Sequence, residues 1–444
     1  MARIDPAGPL RGSLRPPSDK SISHRAALIA AMGEGETVVE GYLDAADTRT
    51  TLAAVRALGA RVEVGPGPAG TDEAWGGPND PVDGPLRIGG VGLRGAGSAT
   101  IDVGNAGTLL RLLPGWLAGQ DGGQWTLDGD DSIRRRPVDR IAAPLREMGA
   151  ELRAREDRLP PLTIAGAPLH GIAYEMPIAS AQVKSCILFA GLLADGETRV
   201  VEGHPSRDHS ERMLAAAGAE VSREGNAVVI QPAERLKPGV IAVPADISSA
   251  AFFLVAALLV AGSEVVLEEV GVNPTRTGLL SILERMGAEI ELEPLGERGG
   301  EPTARLRVRP APLRAVEVGG AEIPLAIDEL PLVALAACFA EGTTTIRDAA
   351  ELRAKESDRI ETVVAALNAL GGAVEPTADG MVITGSGGLR GGMISSQGDH
   401  RIAMLGAVAG IASGDGVEVA GMDAAAVSYP GFESDLASLL VARG

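Results

Sequence analysis

The chain of 444 residues carries 40 Lys+Arg against 59 Asp+Glu, a net charge of −19, and is 45% apolar and 22% charged. That is the profile of an ordinary globular chain with room for two or three domains. The acidity argues against a nucleic-acid or anionic-membrane binder, and the 2% aromatic content argues against base-stacking platforms. The longest apolar run, Ala250 to Gly262, falls short of the roughly 20 residues that a bilayer needs. No basic stretch leads into an apolar one at the start of the chain, so the cytoplasm is the expected location. Cys186 and Cys338 sit far apart in apolar segments and read as small buried hydrophobes. No paired Cys/His spacing suggests a metal.

Read from the N-terminus, a strand-like run closing on a leucine recurs six times: at residues 3–12, 86–95, 162–171, 229–238, 306–315 and 382–391. The leucines concerned (Leu10, Leu93, Leu169, Leu236, Leu313, Leu389) are 67 to 83 residues apart, which reads as an internal repeat. After each run comes an Ala-rich helix that is apolar nearly all round, such as Phe252 to Leu259, and such a helix is buried on every side. A glycine turn and a β-run follow, for example Glu36 to Val39 or Thr344 to Ile346. The next helix is amphipathic: Ile360, Val363, Val364, Leu367 and Leu370 share one face. It stops at a glycine (Gly59, Gly149, Gly218, Gly287 or Gly371) before another strand. Each repeat is therefore about βαβαββ, with one inner and one outer helix. The sixth outer helix, near 432–441, ends the chain, so the N-terminal strand is expected to complete the last repeat and bring both termini into one domain. Six repeats exceed one core. The expectation is an α/β chain of α+β repeats in two lobes of three, crossing near 17–20 and 243–246. Residues 1–18 and 244–444 then form one lobe and 19–243 an inserted one.

The inner helices open on polar sequences: 18–25 (Ser-Asp-Lys-Ser-Ile-Ser-His-Arg), 105–111, 180–185, 246–249, 328–331 and 399–401. Capping explains one Ser, Asp or Asn at each. It does not explain Lys20 with Arg25, Gln182 with Lys184, or His400 with Arg401 in otherwise apolar helices. The outer helices open on cations too: Arg49, Arg134 to Arg136, Arg207, Arg212, Arg276, Lys355 and Arg359. Cations at helix N-termini oppose the macrodipole unless an anion sits with them. Two readings stay open: a site for a multiply anionic small molecule, or ion-pair networks with neighbouring Asp and Glu. No P-loop, dinucleotide fingerprint or nucleophile elbow competes. With Arg outnumbering Lys 36 to 4, the few lysines (Lys20, Lys184, Lys237, Lys355) suit a compact point charge.

Residues 19–25, Asn105 to Thr108 with Arg111, Arg136-Pro137, 355–359 and 399–401 resemble the enolpyruvyl transferases over nearly the whole chain, in the branch that uses shikimate 3-phosphate. The resemblance implies an inside-out α/β barrel of two lobes with the active site in the cleft between them. It implies transfer of the enolpyruvyl group of phosphoenolpyruvate to the 5-hydroxyl of shikimate 3-phosphate through a tetrahedral adduct, in aromatic amino acid biosynthesis, by a monomer without metal or cofactor. It also implies roles. Lys20, Asp328 and Glu356 are catalytic, with Glu356 moving the methylene proton and Asp328 taking the hydroxyl proton. Phosphoenolpyruvate is held by Lys20, Asn105, Gly107, Arg136, Gln182, Arg359 and Arg401. Shikimate 3-phosphate is held by Ser21, Arg25, Ser180, Ser206, Asp328 and Lys355. Asp328 could instead cap a helix, Glu356 pair with Arg359 or Lys355, Asp399 and His400 only orient Arg401, and His24 be structural. The stretches around 180–184, 207–211 and 273–276 resemble a second sequence class that includes glyphosate-tolerant enzymes. Tolerance there goes with Ala at the Gly107 position, so Gly107 implies sensitivity. Many members carry a Lys where Val427 stands, and some a ring-stacking Tyr near Arg207 and His209. A related branch acting on UDP-N-acetylglucosamine carries a loop cysteine that 128–136 lacks, although Asp130 or Asp131 could imitate it.

Overall fold

The computed structural model describes residues 1–65, 73–82 and 84–440 and divides the chain into two compact units. One comprises 1–17, 244–296 and 302–444; the other comprises 18–243 and 297–301. Ser18 and the tip of the hairpin made by Ile290–Arg298 and Glu301–Val308 thus fall with the inserted unit, not with the terminal one as expected. The reason is local to that tip. The Glu301 carboxylate meets His209 Nδ1 at 2.8 Å with both side chains buried, and Arg212 Nη1 donates to the Gly300 carbonyl at 3.2 Å. Where a hairpin tip packs leaves no periodic trace in sequence.

The unit with both termini holds three sheets, of three, four and four strands. Strand Ala2–Ile4 pairs antiparallel with Val417–Ala420, Ala2 opposite Val419, and that strand runs parallel to Gly392–Ser395. The first strand therefore completes the last repeat, as expected. Inner helices Ile247–Leu259, Leu330–Phe339 and His400–Ala412 are buried along nearly their whole length. Outer helices Gly278–Met286, Arg359–Ala369 and Phe432–Leu439 bury one face each. Phe253, Tyr429 and Phe432 stack with centroids 5.5 to 5.9 Å apart, sealing the core near the C-terminal helix.

The inserted unit also holds three sheets, of five, four and four strands. Its inner helices are Lys20–Met32, Gly107–Ala118 and Ala181–Gly191. Gly115 governs how two of them meet: a Cβ there would lie 2.0 Å from the Cys186 carbonyl oxygen, so only glycine permits that approach. The close pairing keeps the starts of both helices within reach of one another. The five glycines predicted to stop outer helices have φ of +92° to +108°, the left-handed region where a side chain is strained. Among the described residues no helix is long and apolar enough to cross a membrane. Both cysteines are buried free thiols, and burial pushes the Cys338 thiol up to about 12.

Candidate active site

Helix Lys20–Met32 starts at Asp19, whose carboxylate accepts from Ile22 N at 2.8 Å. The cap fixes the first turn and with it Lys20, a quarter exposed, whose Nζ donates to the buried Asp47 at 3.0 Å. Asp47 comes from the start of helix Ala46–Ala57 and carries no sequence signal beyond being acidic there. His24 Nδ1 lies 2.6 Å from Thr51 Oγ1 in the same interior, and burial pushes its pKa down to about 3. Such a histidine stays neutral, consistent with a structural role.

One turn further in, Arg25 is buried and its guanidinium is held by neutral oxygens. Nε donates to Ser210 Oγ at 2.7 Å, Nη2 to Ser185 Oγ at 3.0 Å and Nη1 to the Ser21 carbonyl at 2.9 Å. Burial lowers its pKa to about 10, with Glu211 acting in the opposite direction. Lys184 is fully buried beside two carboxylates, 2.6 Å from Glu211 and 3.0 Å from Glu202, and also donates to the Ser206 carbonyl at 3.2 Å. Burial raises the Glu211 pKa; Lys184 opposes the shift without cancelling it. The Ser206 hydroxyl donates to Glu202, and Ser206 N reaches the same oxygen at 3.0 Å. Ser206 is thus anchored inward in this state. Ser180 caps its helix, accepting from Val183 N at 3.4 Å.

The third cluster gathers around Arg136. Nη2 donates to Asn105 Oδ1 at 3.2 Å, and Asn105 in turn donates to Asp130 at 2.8 Å. Asp130 also accepts from Ile133 N at 2.8 Å, pinning the short helical turn that leads to Arg136. Gly107 opens its helix so close to this guanidinium that an added Cβ would lie 2.6 Å from Arg136 Nη1. Gln182 accepts from Arg111 Nη1 at 3.1 Å and donates to Thr108 Oγ1 at 3.2 Å, which the Gly115 approach makes possible.

The terminal unit has its own cluster, and it is acidic as well as basic. Arg359 is fully buried at the start of its helix. Nε donates to Asp399 at 2.9 Å, Nη2 to Glu356 at 2.5 Å and Nη1 to Asp328 at 3.3 Å. Burial alone would lower the Arg359 pKa, but Glu356, Asp399 and Asp328 outweigh it and the net shift is upward. Burial likewise works to raise Asp399, and the Arg359 charge overrides it, leaving that pKa lowered. Lys355 Nζ donates to Glu351 at 3.0 Å and lies 3.6 Å from Asp328. Arg401 Nη1 donates to the Asp328 carbonyl at 2.9 Å and to Glu329 at 3.4 Å.

Asp328 is not a helix cap; the N-cap position of Leu330–Phe339 belongs to Glu329, whose side chain makes no cap bond. Glu356 does pair with Arg359. Asp399 orients Arg401 only through the main chain, accepting from Arg401 N at 2.9 Å, while its side chain chiefly holds Arg359. His209 is buried against Glu301 and offers no exposed ring. Arg134 and Arg212 are tied in ion pairs with Asp128 and Asp208, whereas Lys20 and Arg401, paired with Asp47 and Glu329, keep partial exposure. The pairing of Asp47 with Lys20 and of Glu329 with Ser248 and Arg401 left no trace in sequence, because each joins residues remote in the chain.

A family model for EPSP synthase (3-phosphoshikimate 1-carboxyvinyltransferase) matches residues 4–75 and 85–436. A 3-phosphoshikimate 1-carboxyvinyltransferase of Synechococcus sp. (strain RCC307) is 49% identical over 441 residues, covering 97% of each chain. One from Gloeobacter violaceus is 49% identical over 438 residues, covering 98% of each. Among solved structures, an EPSP synthase from Acinetobacter baumannii superposes with a TM-score of 0.86 at 42% identity, over 99% of this chain and 98% of that one.

Proposed function

The chain belongs to the EPSP synthase family, and from that membership we propose how its own residues carry out the family's reaction. The reaction transfers the enolpyruvyl group of phosphoenolpyruvate to shikimate 3-phosphate and releases phosphate. Two polyanions must be held together, so cations must offset their repulsion and donors must be fixed in advance. Lys20, Asn105, the amides at Gly107, Arg136, Gln182, Arg359 and Arg401 take phosphoenolpyruvate. Ser21, Arg25, Ser180, Ser206 and Lys355 take shikimate 3-phosphate, with Arg25 supplying its charge from behind Ser21 and Ser206 turning from Glu202 to do so.

The observation that carries the reading is Arg359 holding Glu356 and Asp328 on separate nitrogens. An incoming phosphoenolpyruvate anion competes for those N–H groups. A carboxylate released from its arginine becomes more basic. Glu356, so released, holds a proton and delivers it to the methylene carbon of phosphoenolpyruvate, making C2 electrophilic. The 5-hydroxyl of shikimate 3-phosphate attacks C2 while Asp328 accepts its proton, with Lys20 steadying the developing oxygen charge. Phosphate then leaves the tetrahedral adduct as Glu356 recovers a methyl proton, and the enol ether remains. Asp328 returns its proton to the departing phosphate, so no net proton stays on the protein. The reading places this chemistry in the cytoplasm, in a monomer with no nucleic-acid or membrane partner.

Phosphate release, measured with each substrate omitted in turn, tests the reading. Release should require both phosphoenolpyruvate and shikimate 3-phosphate. Turnover with UDP-N-acetylglucosamine in place of shikimate 3-phosphate would overturn it.

A further inference from the structure

We propose that Glu329 is a positioning residue that sets the Arg401 guanidinium for phosphoenolpyruvate. The proposal rests on the reading above that Arg401 binds that substrate. Glu329 is fully buried, and a buried carboxylate is costly unless something holds it. Oε1 accepts from Ser248 Oγ and from Arg401 Nη1, while Oε2 has no hydrogen-bond partner among the described residues. The direction of these bonds is fixed by proton supply. Arg276 Nη2 donates to Ser248 Oγ at 2.6 Å, so the one hydroxyl proton of Ser248 points to Glu329. Asp246 accepts from Arg276 Nη2 at 3.1 Å and caps the next inner helix through Ser248 N at 3.0 Å.

The result is a hydrogen-bonded ladder of two carboxylate–guanidinium pairs joined through the Ser248 hydroxyl, Asp246 to Arg276 to Ser248 to Glu329 to Arg401, built within one unit. Side-chain exposure is 4% at Arg276 and 0% at Glu329 against 13% at Asp246 and 12% at Arg401, so the interior of the ladder is buried and its two ends reach the surface. Arg401 Nη1 is gripped by the Asp328 carbonyl and the Glu329 carboxylate, two oxygens of one dipeptide. Nη2 lies 3.9 Å from the Asp328 carboxylate, within ion-pair reach but beyond hydrogen-bond range, so its N–H groups make no hydrogen bond to that carboxylate. A free arginine must give up much rotamer entropy on binding; one gripped in advance has already done so. Glu329 touches no reacting atom in this account and acts only through Arg401.

Steady-state kinetics on Glu329→Gln, Arg401→Ala and the double variant test this. Glutamine keeps the acceptor for Ser248 but loses the charge that grips Arg401. The expected result is a rise of about tenfold in KM for phosphoenolpyruvate with kcat reduced far less. The affinity for shikimate 3-phosphate alone should be unchanged. In the Arg401→Ala background the same substitution should alter that KM by less than about twofold, because its effect runs through Arg401. Ser248→Ala, which removes the rung behind Glu329, should move the same KM in the same direction and serves if a Glu329 variant fails to fold. An unchanged KM in Glu329→Gln, or effects that multiply in the double variant, would overturn the proposal alone. An unchanged KM in Arg401→Ala would overturn it together with the reading it rests on.

Discussion

Replacing Lys184 by Met should destabilise the inserted unit by far more than its packing suggests. Lys184 and Glu202 are fully buried and Glu211 is 11% exposed, so water does little to screen the charges. Methionine fills similar volume but leaves Glu211 without its cation and Glu202 with only Arg223, 3.7 Å away. Breaking a buried pair in this way costs about 3–5 kcal/mol, and for a unit of this size about 4 kcal/mol corresponds to a Tm loss of about 8–16 °C. The effect has a pH signature. The folded Glu211 pKa is already raised, and removing Lys184 takes away the influence opposing that rise. A carboxyl with a raised folded pKa binds more protons folded than unfolded, so stability falls as pH climbs from the unfolded value through the folded one. The Lys184→Met deficit should therefore be smaller at pH 5.5 than at pH 8. Adding Glu202→Gln and Glu211→Gln should recover most of the loss, which differential scanning calorimetry at both pH values measures. A Tm within about 2 °C of the parent, or no recovery in the triple variant, would refute the charge argument.

Gly107→Ala should raise KM for phosphoenolpyruvate by about tenfold with little change in Tm, since about 0.8 Å of retreat by Arg136 relieves the 2.6 Å contact but loosens its bond to Asn105. Steady-state kinetics decide this. If the proposed roles hold, Lys20→Met should lower kcat by about a thousandfold or more while circular dichroism stays unchanged, because the cation now poised on Asp47 is the one proposed to steady the developing oxygen charge. His24, held neutral with a pKa near 3, gives stability that is fully present above about pH 6.5 and declines by about 1.4 kcal/mol per pH unit below it. His24→Gln, which keeps a hydrogen-bonding group for Thr51, should flatten that acid limb in denaturant titrations.

What could be read from the sequence was what acts locally. The inner helices announced themselves because every face of Ile247–Leu259 is apolar, and their starts because capping residues such as Asp19 and Asp246 sit next to the helix they cap. The C-terminal glycines were legible for the same reason. Pairings across the chain were not. Lys20 and Asp47 are 27 residues apart, and Ser248 and Glu329 are 81 apart. Only folding decides which Asp or Glu meets which cation. Arg359 shows the limit most plainly. Its position suggested an open anion ligand, yet in the free chain it is buried among three carboxylates, a state that depends on Asp328 and Asp399 arriving from two other repeats. The tip at 297–301 was missed because a turn has no period to reveal its neighbours.

The account stands most directly on Glu356 as the group that moves the methylene proton. Incubating Glu356→Gln with both substrates in deuterium oxide and following the methylene signals by proton NMR tests it. Deuterium should enter at least about a hundredfold more slowly than in the parent protein, while shikimate 3-phosphate still binds. Exchange at the parental rate would assign the proton to another group and contradict the mechanism.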